Sequence, residues 1–358
     1  MAMSSSQVDF DKSFLVDKKF FYKQVEKLQP PVIEQFEFIA KSYTLFNLVF
    51  FLIVFVELTI LSVLFPSYTH ASVFSISLAL LFLTIFSYLI LRLYFSARKP
   101  EHYLDLKEQY IHACKEVINY QEGIPEHHIA IAGAAFKLIN VLDNKELEFY
   151  SPPYFLDMFK QTSRKLSAYF HWEDTLRFKE NLYQASIEEH LKLVKCEPTN
   201  LEIHASLANA LVMLSTLYST PLKMDPSEEY DWLSFENYQE ELEEKFKATS
   251  EQAMEEFKIL NDYAPEDPWV HIQLAYSYRD LQMPEEEIKE YETILNLCPD
   301  DTDSLSKLGV LYFQQGHNSK GLKTYQRLKQ KDFQKAEALI KHYGQRASYD
   351  FLEPEHSE

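Results

Sequence analysis

The chain has 358 residues, a net charge of −19 at pH 7 and an aromatic content of 15%. That length allows two or three structural units, and the acidity argues against nucleic acid as a partner because it repels phosphate. Only six glycines occur, and Cys114, Cys196 and Cys298 lie far apart, outside any C-x-x-C pair. Together with the helical spacing of the apolar residues, this composition predicts an all-α chain with reduced cysteines.

The N-terminal part, 1–44, is predicted to form amphipathic helices next to a membrane. One helix is expected over 12–28, ending at Pro30 and Pro31 because proline lacks the N–H that a helix interior requires. A second helix is expected to begin at Val32 and to run into the apolar stretch that follows. Two positions are open for it: on the membrane surface, or packed against the body of the protein.

Residues 45–95 contain two long apolar runs, 45–65 and 72–95, joined by a short link. At about 1.5 Å per helical residue, each run can cross the roughly 30 Å hydrocarbon core of a bilayer. The short link predicts an antiparallel two-span transmembrane hairpin. Its flanks are basic and its tip carries no Lys or Arg, which places both termini in the cytoplasm. The flanking cations are Lys27, Lys41, Arg92, Arg98, Lys99 and Lys107.

Glu57 lies near the middle of the first apolar run. A charged carboxylate at that depth costs about 2.5 to 3.5 kcal/mol on insertion scales. Folding the hairpin brings Thr84 to within about one turn of it. We therefore expect Glu57 to associate helices by a hydrogen bond to Thr84 or to a second copy of the chain, rather than to conduct ions.

A paired apolar segment with both ends on one side resembles the hairpin of chlamydial inclusion membrane proteins, a secreted family defined by hydropathy. The resemblance covers only 45–95. It implies an alternative in which the protein is a secreted effector inserted in a host-derived membrane.

Beyond the hairpin, 96–125 is predicted to be a linking segment, with a helix over 101–120 that follows Pro100. Further helices are expected over 129–141, 172–195, 201–218 and 238–263, with insertions near 145–169 and 218–237. His102, His112, His127 and His128 lack the spacing of metal ligands, so packed or solvated histidines are expected, with no metal and no cofactor. No catalytic constellation is recognisable, and an enzyme site in the insertions stays a third alternative.

Two frames, 268–301 and 302–331, repeat the same residue types at the same offsets. In the first, Leu274, Ala275 and Tyr278 lie on helix A, and helix B ends at Pro299. The matching positions of both helices B and of the second helix A are Tyr291, Ile294, Leu305, Leu308, Gly309, Tyr312, Gly316, Gly321, Tyr325 and Leu328. These frames resemble the tetratricopeptide repeat (TPR), a helix pair in which a small residue on helix A lets helix B approach.

The resemblance implies a TPR-like helical solenoid over 126–346 with a capping helix over 333–343, followed by a tail, 347–358. Two earlier, degenerate repeats would pair 129–141 with 172–195 and 201–218 with 238–263. Two residues depart from the family pattern: His271 stands where the family prefers Trp, and Glu287 where it prefers a small residue. The second departure predicts a loosened helix crossing.

In the TPR family the concave face is lined by the second, fifth, ninth, twelfth and thirteenth residues of each helix A. In this chain those positions are Trp269, Ile272, Tyr276, Arg279 and Asp280, then Asp303, Ser306, Val310, Phe313 and Gln314, and in the preceding frame Glu202, Ala205, Asn209, Val212 and Met213. Arg279 is the one cation among them. The resemblance therefore implies recognition of an apolar or aromatic peptide segment rather than a carboxylate terminus.

These observations predict a membrane-anchored scaffold that is not an enzyme and that binds a protein or peptide partner at the cytoplasmic face of a lipid bilayer. Charge is uneven along the chain, with an acidic stretch over 225–267 and a basic one over 307–346. Opposite stretches could join copies head to tail in a homo-oligomer or select charged partners, and the alternative is two solvated faces.

Overall fold

The structure is a computed structural model that describes residues 17–64, 71–150, 158–222 and 238–343. Across these ranges the regular elements are helices and no strand occurs, so the all-α prediction is confirmed. The helices are α1 (Lys18–Leu64), α2 (Ala71–Val117), α3 (Pro125–Val141), α4 (Lys160–Cys196), α5 (Leu201–Leu222), α6 (Gln239–Tyr263), α7 (Pro268–Asp280), α8 (Pro284–Leu297), α9 (Thr302–Gln314), α10 (Asn318–Lys331) and α11 (Phe333–Ile340).

Contacts divide the chain into an N-terminal unit that runs to Pro198 and a C-terminal unit that begins at Thr199. The boundary falls inside 126–346, which the sequence suggested was one solenoid. Helix α4 begins at Lys160 rather than at 172, and α5 continues through Pro221 to Leu222, so both insertions are shorter than predicted. Most of the second insertion, 223–237, and the tail 347–358 lie outside the described residues.

Helices α1 and α2 each extend over 47 residues without a break. Pro30 and Pro31 lie inside α1 and Pro100 lies inside α2, so the prediction that these prolines separate helices is wrong. Pro30 and Pro31 face solvent, while Val25 and Phe36 on either side of them are fully buried in one core. Packing on both sides of the prolines thus outweighs the backbone hydrogen bonds that they remove.

The apolar parts of α1 and α2 lie outside that core. Each helix contains an 18-residue window of mean hydropathy 2.4, of which 0% is buried in α1 and 6% in α2. Both are long and apolar enough to cross a membrane. Between described residues, two side-chain hydrogen bonds join the apolar runs of the two helices: the Thr84 hydroxyl donates to Glu57 Oε1 at 2.8 Å, and the Tyr88 hydroxyl donates to Asn47 Oδ1 at 3.1 Å.

The remaining parts of α1 and α2 pack with α3 and α4 around Phe36. Its ring lies 4.9 Å from that of Phe178 on α4 and 5.4 Å from that of Tyr103 on α2, measured between centroids. The Tyr110 hydroxyl donates to the Ala134 carbonyl of α3 at 2.8 Å. Of the two positions that were open for the segment after Val32, the structure shows packing against the body of the protein.

Four helix pairs follow along the chain: α3 with α4, α5 with α6, α7 with α8, and α9 with α10. Within the C-terminal unit each helix packs against the next, and α11 packs against both α9 and α10. The seventh and eighth residues of the first helix in each pair are a large aliphatic residue and a small one, and all are buried: Ile131 and Ala132, Leu207 and Ala208, Leu274 and Ala275, Leu308 and Gly309. The small residue allows the second helix to approach.

The equivalent position on the second helix, where the TPR family prefers a small residue, is Ser186, Ala253, Glu287 or Gly321, and each of these residues is buried. Glu287 is the one large side chain in this set, with 4% of its surface exposed. Helix α7 nevertheless contacts α8 as extensively as α9 contacts α10, so the predicted loosening of the crossing is wrong. Helices α7 and α8 thus pack closely with the Glu287 carboxyl group buried between them.

Three of the four pairs share a histidine–glutamate link in which the histidine is buried. The histidine is the fourth residue of the first helix, and its Nδ1 lies within hydrogen-bond distance of a glutamate of the second helix, nine residues before the proline that follows it. The links are His128–Glu189 at 2.7 Å, His204–Glu256 at 2.7 Å and His271–Glu290 at 2.6 Å. In the fourth pair Leu305 takes the histidine position. Each link satisfies polar groups that burial would otherwise leave unpaired.

Candidate partner-binding face

The predicted face on α7 begins with Trp269, which is 38% exposed. The Asp267 carboxylate accepts a hydrogen bond from the Trp269 backbone N–H at 2.9 Å and so caps the helix. The Trp269 ring contacts Phe257 of α6 edge-on, with 6.0 Å between centroids. One turn on, Ile272 is partly buried against the core. This end of the face therefore presents an indole ring that is held in place yet accessible.

Tyr276 forms the middle of the face together with two cations. The Lys307 ammonium donates to the Tyr276 hydroxyl at 2.9 Å and lies 4.7 Å from the ring centroid. The Arg279 guanidinium lies 5.0 Å from the same centroid and pairs with Asp280 at 3.7 Å. Cations over an aromatic face are attracted by its quadrupole, so the ring and the two cations form one assembly. Lys307 lies on α9, so the assembly joins α7 to α9.

Phe313 does not belong to this face, and the prediction that placed it there is wrong. It is 1% exposed, and its ring occupies the space that a side chain at Gly321 would fill. Its centroid lies 5.5 Å from that of Tyr343. Because Gly321 opens room on α10, the aromatic ring gains more by packing inward than by facing solvent. Among the other predicted positions, Val310 and Gln314 are partly exposed on α9, and Asn209 is exposed on α5.

Beneath the cationic part of the face lies the buried carboxyl group of Glu287. Burial raises the pKa of Glu287 to about 7, the field of Asp280 adds to the rise, and the charges of Arg279 and Lys307 oppose it. One turn along α8, the Tyr291 hydroxyl is buried without a hydrogen-bond partner among the described residues. Titration of Glu287 near neutral pH therefore changes the charge that Arg279 and Lys307 experience.

Sequence reasoning missed Lys307 because it is the sixth residue of α9, which is outside the family's concave positions. It also missed the three histidine–glutamate links, although their spacing from Pro198, Pro265 and Pro299 is uniform. Leu274 and Leu308, expected to face the second helix of each pair, are 2% and 4% exposed. Glu57, the predicted polar residue of the hairpin, bonds to Thr84 as one of its two expected partners.

No family model matches the sequence, and no curated protein matches it. Thirteen chains of solved structures match. One of them, MamA MSR-1 C2, is 13% identical with a TM-score of 0.30, over 68% of this chain and 98% of that one. A TM-score of that size carries no argument about the fold, so the equivalence of the helix pairs rests on the packing within this chain.

Proposed function

We propose that this protein is a membrane-anchored, TPR-like adaptor whose C-terminal helices bind a protein or peptide partner at the cytoplasmic face of a bilayer. The observation that carries the proposal is the contrast along α7. Leu274 and Ala275, at the packing positions, are buried, whereas Trp269 and Tyr276 keep accessible surface at the positions that line a TPR groove. Trp and Tyr side chains that are fixed by neighbouring residues and still accessible are enriched among the hot spots of protein interfaces.

The membrane part of the proposal is supported by exposure. The apolar windows of α1 and α2 are almost wholly unburied, and an aqueous environment would make such surface strongly unfavourable. Tyr43, Phe46, Tyr88 and Phe95 cluster at the base of the hairpin, where the apolar runs end. Aromatic residues at that level are typical of a membrane–water interface.

Two kinds of surface define the expected ligand. Trp269, Ile272 and Val310 favour an apolar or aromatic segment, and the assembly of Tyr276, Arg279 and Lys307 adds a cationic neighbour. The sequence predicted a mainly apolar face with Arg279 as its one cation. Lys307 adds a second cation, so the face is less apolar than that prediction. We propose a peptide segment with apolar side chains that contact Trp269 and with polar or acidic groups next to Tyr276.

Crosslinking and affinity capture of the intact protein from membranes would identify the partner. We expect Trp269→Ala and Tyr276→Ala each to weaken binding by about 2 kcal/mol, which is a roughly 30-fold loss of affinity. Tyr263→Ala is the matched control, because Tyr263 is 62% exposed but belongs to α6 and not to α7 or α9, which form the face. Binding by the double variant with unchanged affinity would show that this face is not the site.

Protein stability separates binding from folding in the same experiment. Leu274→Ala and Leu308→Ala remove core side chains and should lower the free energy of unfolding by about 2 to 5 kcal/mol. The Trp269 and Tyr276 variants should leave the melting temperature nearly unchanged. A face variant that melts like the core variants could not be interpreted as a binding variant.

A further inference from the structure

Residues at the beginning of α4 carry large apolar side chains that are exposed. Phe159, Leu166 and Phe170 are each between 43% and 50% exposed, and intervals of seven and four residues put them on one face. Met158, immediately before Phe159, is exposed as well, whereas Ser167 on another side of the helix is fully buried. This segment is therefore attached to the N-terminal unit with an apolar face directed outward, a feature that commonly marks an interaction surface.

Helices α2 and α4 run in the same direction, away from the hairpin. In three contacts between them the α4 residue lies 74 or 75 positions after its α2 partner: Lys99 with Asp174, Tyr103 with Phe178, and Lys115 with Glu189. Such a constant difference between residue numbers requires parallel helices, because antiparallel helices would pair rising numbers with falling ones. Since α2 leaves the apolar run at 95 and continues outward, α4 has its first turns nearest the hairpin.

The beginning of α4 lies at the level where the apolar runs end. The same offset puts Phe170 level with Phe95, the last residue of the second run. The Phe95 ring lies 5.9 Å from that of Tyr43 and 4.8 Å from that of Phe46, measured between centroids, at the base of the hairpin. Residues of α4 before Phe170 continue past that level toward the apolar runs, at about 1.5 Å per residue. A bilayer that surrounds the hairpin therefore meets the beginning of α4.

The same segment is basic, although the chain as a whole has a net charge of −19. Lys160, Arg164 and Lys165 alternate with its apolar residues, and no Asp or Glu occurs over 158–172. In the part of the chain that the structure describes, none of the three cations forms an ion pair with a carboxylate. Apolar side chains on one face and cations on the others are the composition that binds the surface of a bilayer with anionic lipids.

We propose that 158–170 lies in the membrane–water interface, with its apolar face among the acyl chains and its cations against anionic lipid headgroups. The inference rests on the proposed membrane anchor, because the hairpin sets the level of the bilayer. It adds a second attachment, which holds the N-terminal unit in one orientation on the membrane. Lipid is favoured over a protein partner because a bilayer around the hairpin already reaches this surface.

Quenching of a fluorophore by spin-labelled lipids, measured on the full-length protein in vesicles of phosphatidylcholine and phosphatidylglycerol, tests this inference. With Cys196 and Cys298 changed to serine, Leu166→Cys carries the fluorophore. Leu191→Cys is the matched control, because Leu191 is also exposed on α4 but lies 25 residues, or roughly 38 Å, farther along the helix. We expect quenching at 166 to be at least about twofold stronger than at 191, since an interfacial helix lies about 5 to 10 Å into the headgroup and acyl boundary.

Leu83→Cys, in the second apolar run, reports the hairpin separately. Strong quenching at 83 with quenching at 166 no greater than at 191 would overturn this inference and leave the membrane anchor standing. A protein, such as a second copy of the chain, would then cover the apolar face. Absence of quenching at 83 would overturn the membrane anchor and this inference with it.

The role of the three cations has its own test. Quenching at 166 should be stronger in vesicles that contain phosphatidylglycerol than in vesicles of phosphatidylcholine alone, because anionic headgroups attract a basic segment. The combined variant Lys160→Gln, Arg164→Gln and Lys165→Gln should lose this difference while quenching at 83 stays unchanged. If the variant keeps the full dependence on phosphatidylglycerol, the cations do not contact the headgroups.

Discussion

At the scale of single residues, the buried carboxyl group of Glu287 makes stability depend on pH. Its pKa is about 7 in the folded chain and 4.5 in the reference state, so burial disfavours the ionised form. The contribution of the protonated Glu287 carboxyl to stability is then fully present below about pH 4.5 and is lost as the pH rises through about 7. Above that pH the loss is constant, on the order of 3 kcal/mol.

Glu287→Gln should therefore stabilise the protein at pH 8 and leave it unchanged at pH 4, since glutamine keeps the shape without the charge. Melting temperature measured from pH 4 to pH 8 checks this. Glu286→Gln is the control on the same turn, because that side chain is partly exposed. If the melting temperatures of Glu287→Gln and of the original protein changed in the same way with pH, ionisation of Glu287 would not destabilise the folded state.

Glu57 offers a second test at this scale. Its Oε1 accepts from Thr84, and its Oε2 is buried without a partner among the described residues. Thr84→Val and Glu57→Leu should each weaken helix association by about 0.6 to 2 kcal/mol, whereas Glu57→Gln should behave nearly normally because the amide oxygen still accepts. The melting temperature reports the hydrogen bond between Glu57 and Thr84 within one chain. The amount of detergent-resistant oligomer reports a contact with a second copy. Loss of function in Glu57→Gln with normal insertion would indicate a proton or ion role instead.

At the scale of an element, α1 shows how packing overrides a local signal. Pro30 and Pro31 cannot donate backbone hydrogen bonds, yet the helix passes through them because Val25 and Phe36 are buried on either side. Replacing both prolines by alanine should restore the missing donors and raise the free energy of unfolding by about 1 kcal/mol or more. Chemical denaturation of the full chain in detergent measures the change.

Pro125→Ala is the matched control for this prediction. Pro125 is the first residue of α3, where the missing N–H has no partner to lose, so alanine should bring no gain. If the double variant at Pro30 and Pro31 is instead less stable, the prolines shape α1 for its contacts with α2, α3 and α4.

At the scale of the whole molecule, the proposed hairpin predicts which cysteines a membrane-impermeant reagent can reach. Cys196 and Cys298 are exposed and Cys114 is buried. In sealed cells the first two should react only after the membrane is opened, because the proposed topology puts both on the cytoplasmic side. With both changed to serine, Thr69→Cys in the predicted tip, outside the described residues, should react from the opposite side. Labelling of Cys298 and of Thr69→Cys from the same side would contradict the hairpin.

The uneven charge of the chain also belongs to this scale. Part of the basic stretch is neutralised within the C-terminal unit, where Lys320 pairs with Glu292 at 3.1 Å, Lys335 pairs with Asp303 at 2.7 Å, and Lys331 pairs with Asp300. These lysines of α10 and α11 thus contact carboxylates of α8, of α9 and of the loop between those two helices. They are less available for a second copy than their number in the sequence suggests.

The sequence by itself determined the helical class, the two apolar runs and the repeated frames over 268–331. Each of these is a local pattern, given by the spacing of residue types along the chain or by the length of an apolar run. The sequence also placed Leu274, Ala275, Leu308 and Gly309 correctly at packing positions. These features need only the spacing of neighbouring turns, which the backbone geometry of a helix imposes.

The tertiary structure alone decided which side chains meet across helices. Phe313 turns inward because Gly321 leaves room, Lys307 reaches Tyr276 from the next helix pair, and His128 meets Glu189 across 61 residues of sequence. One of these contacts spans an insertion, and the other two depend on which way a side chain turns and on how one helix pair packs against the next, so sequence spacing alone does not predict them. Their contacts follow from how packed helices bring distant turns together.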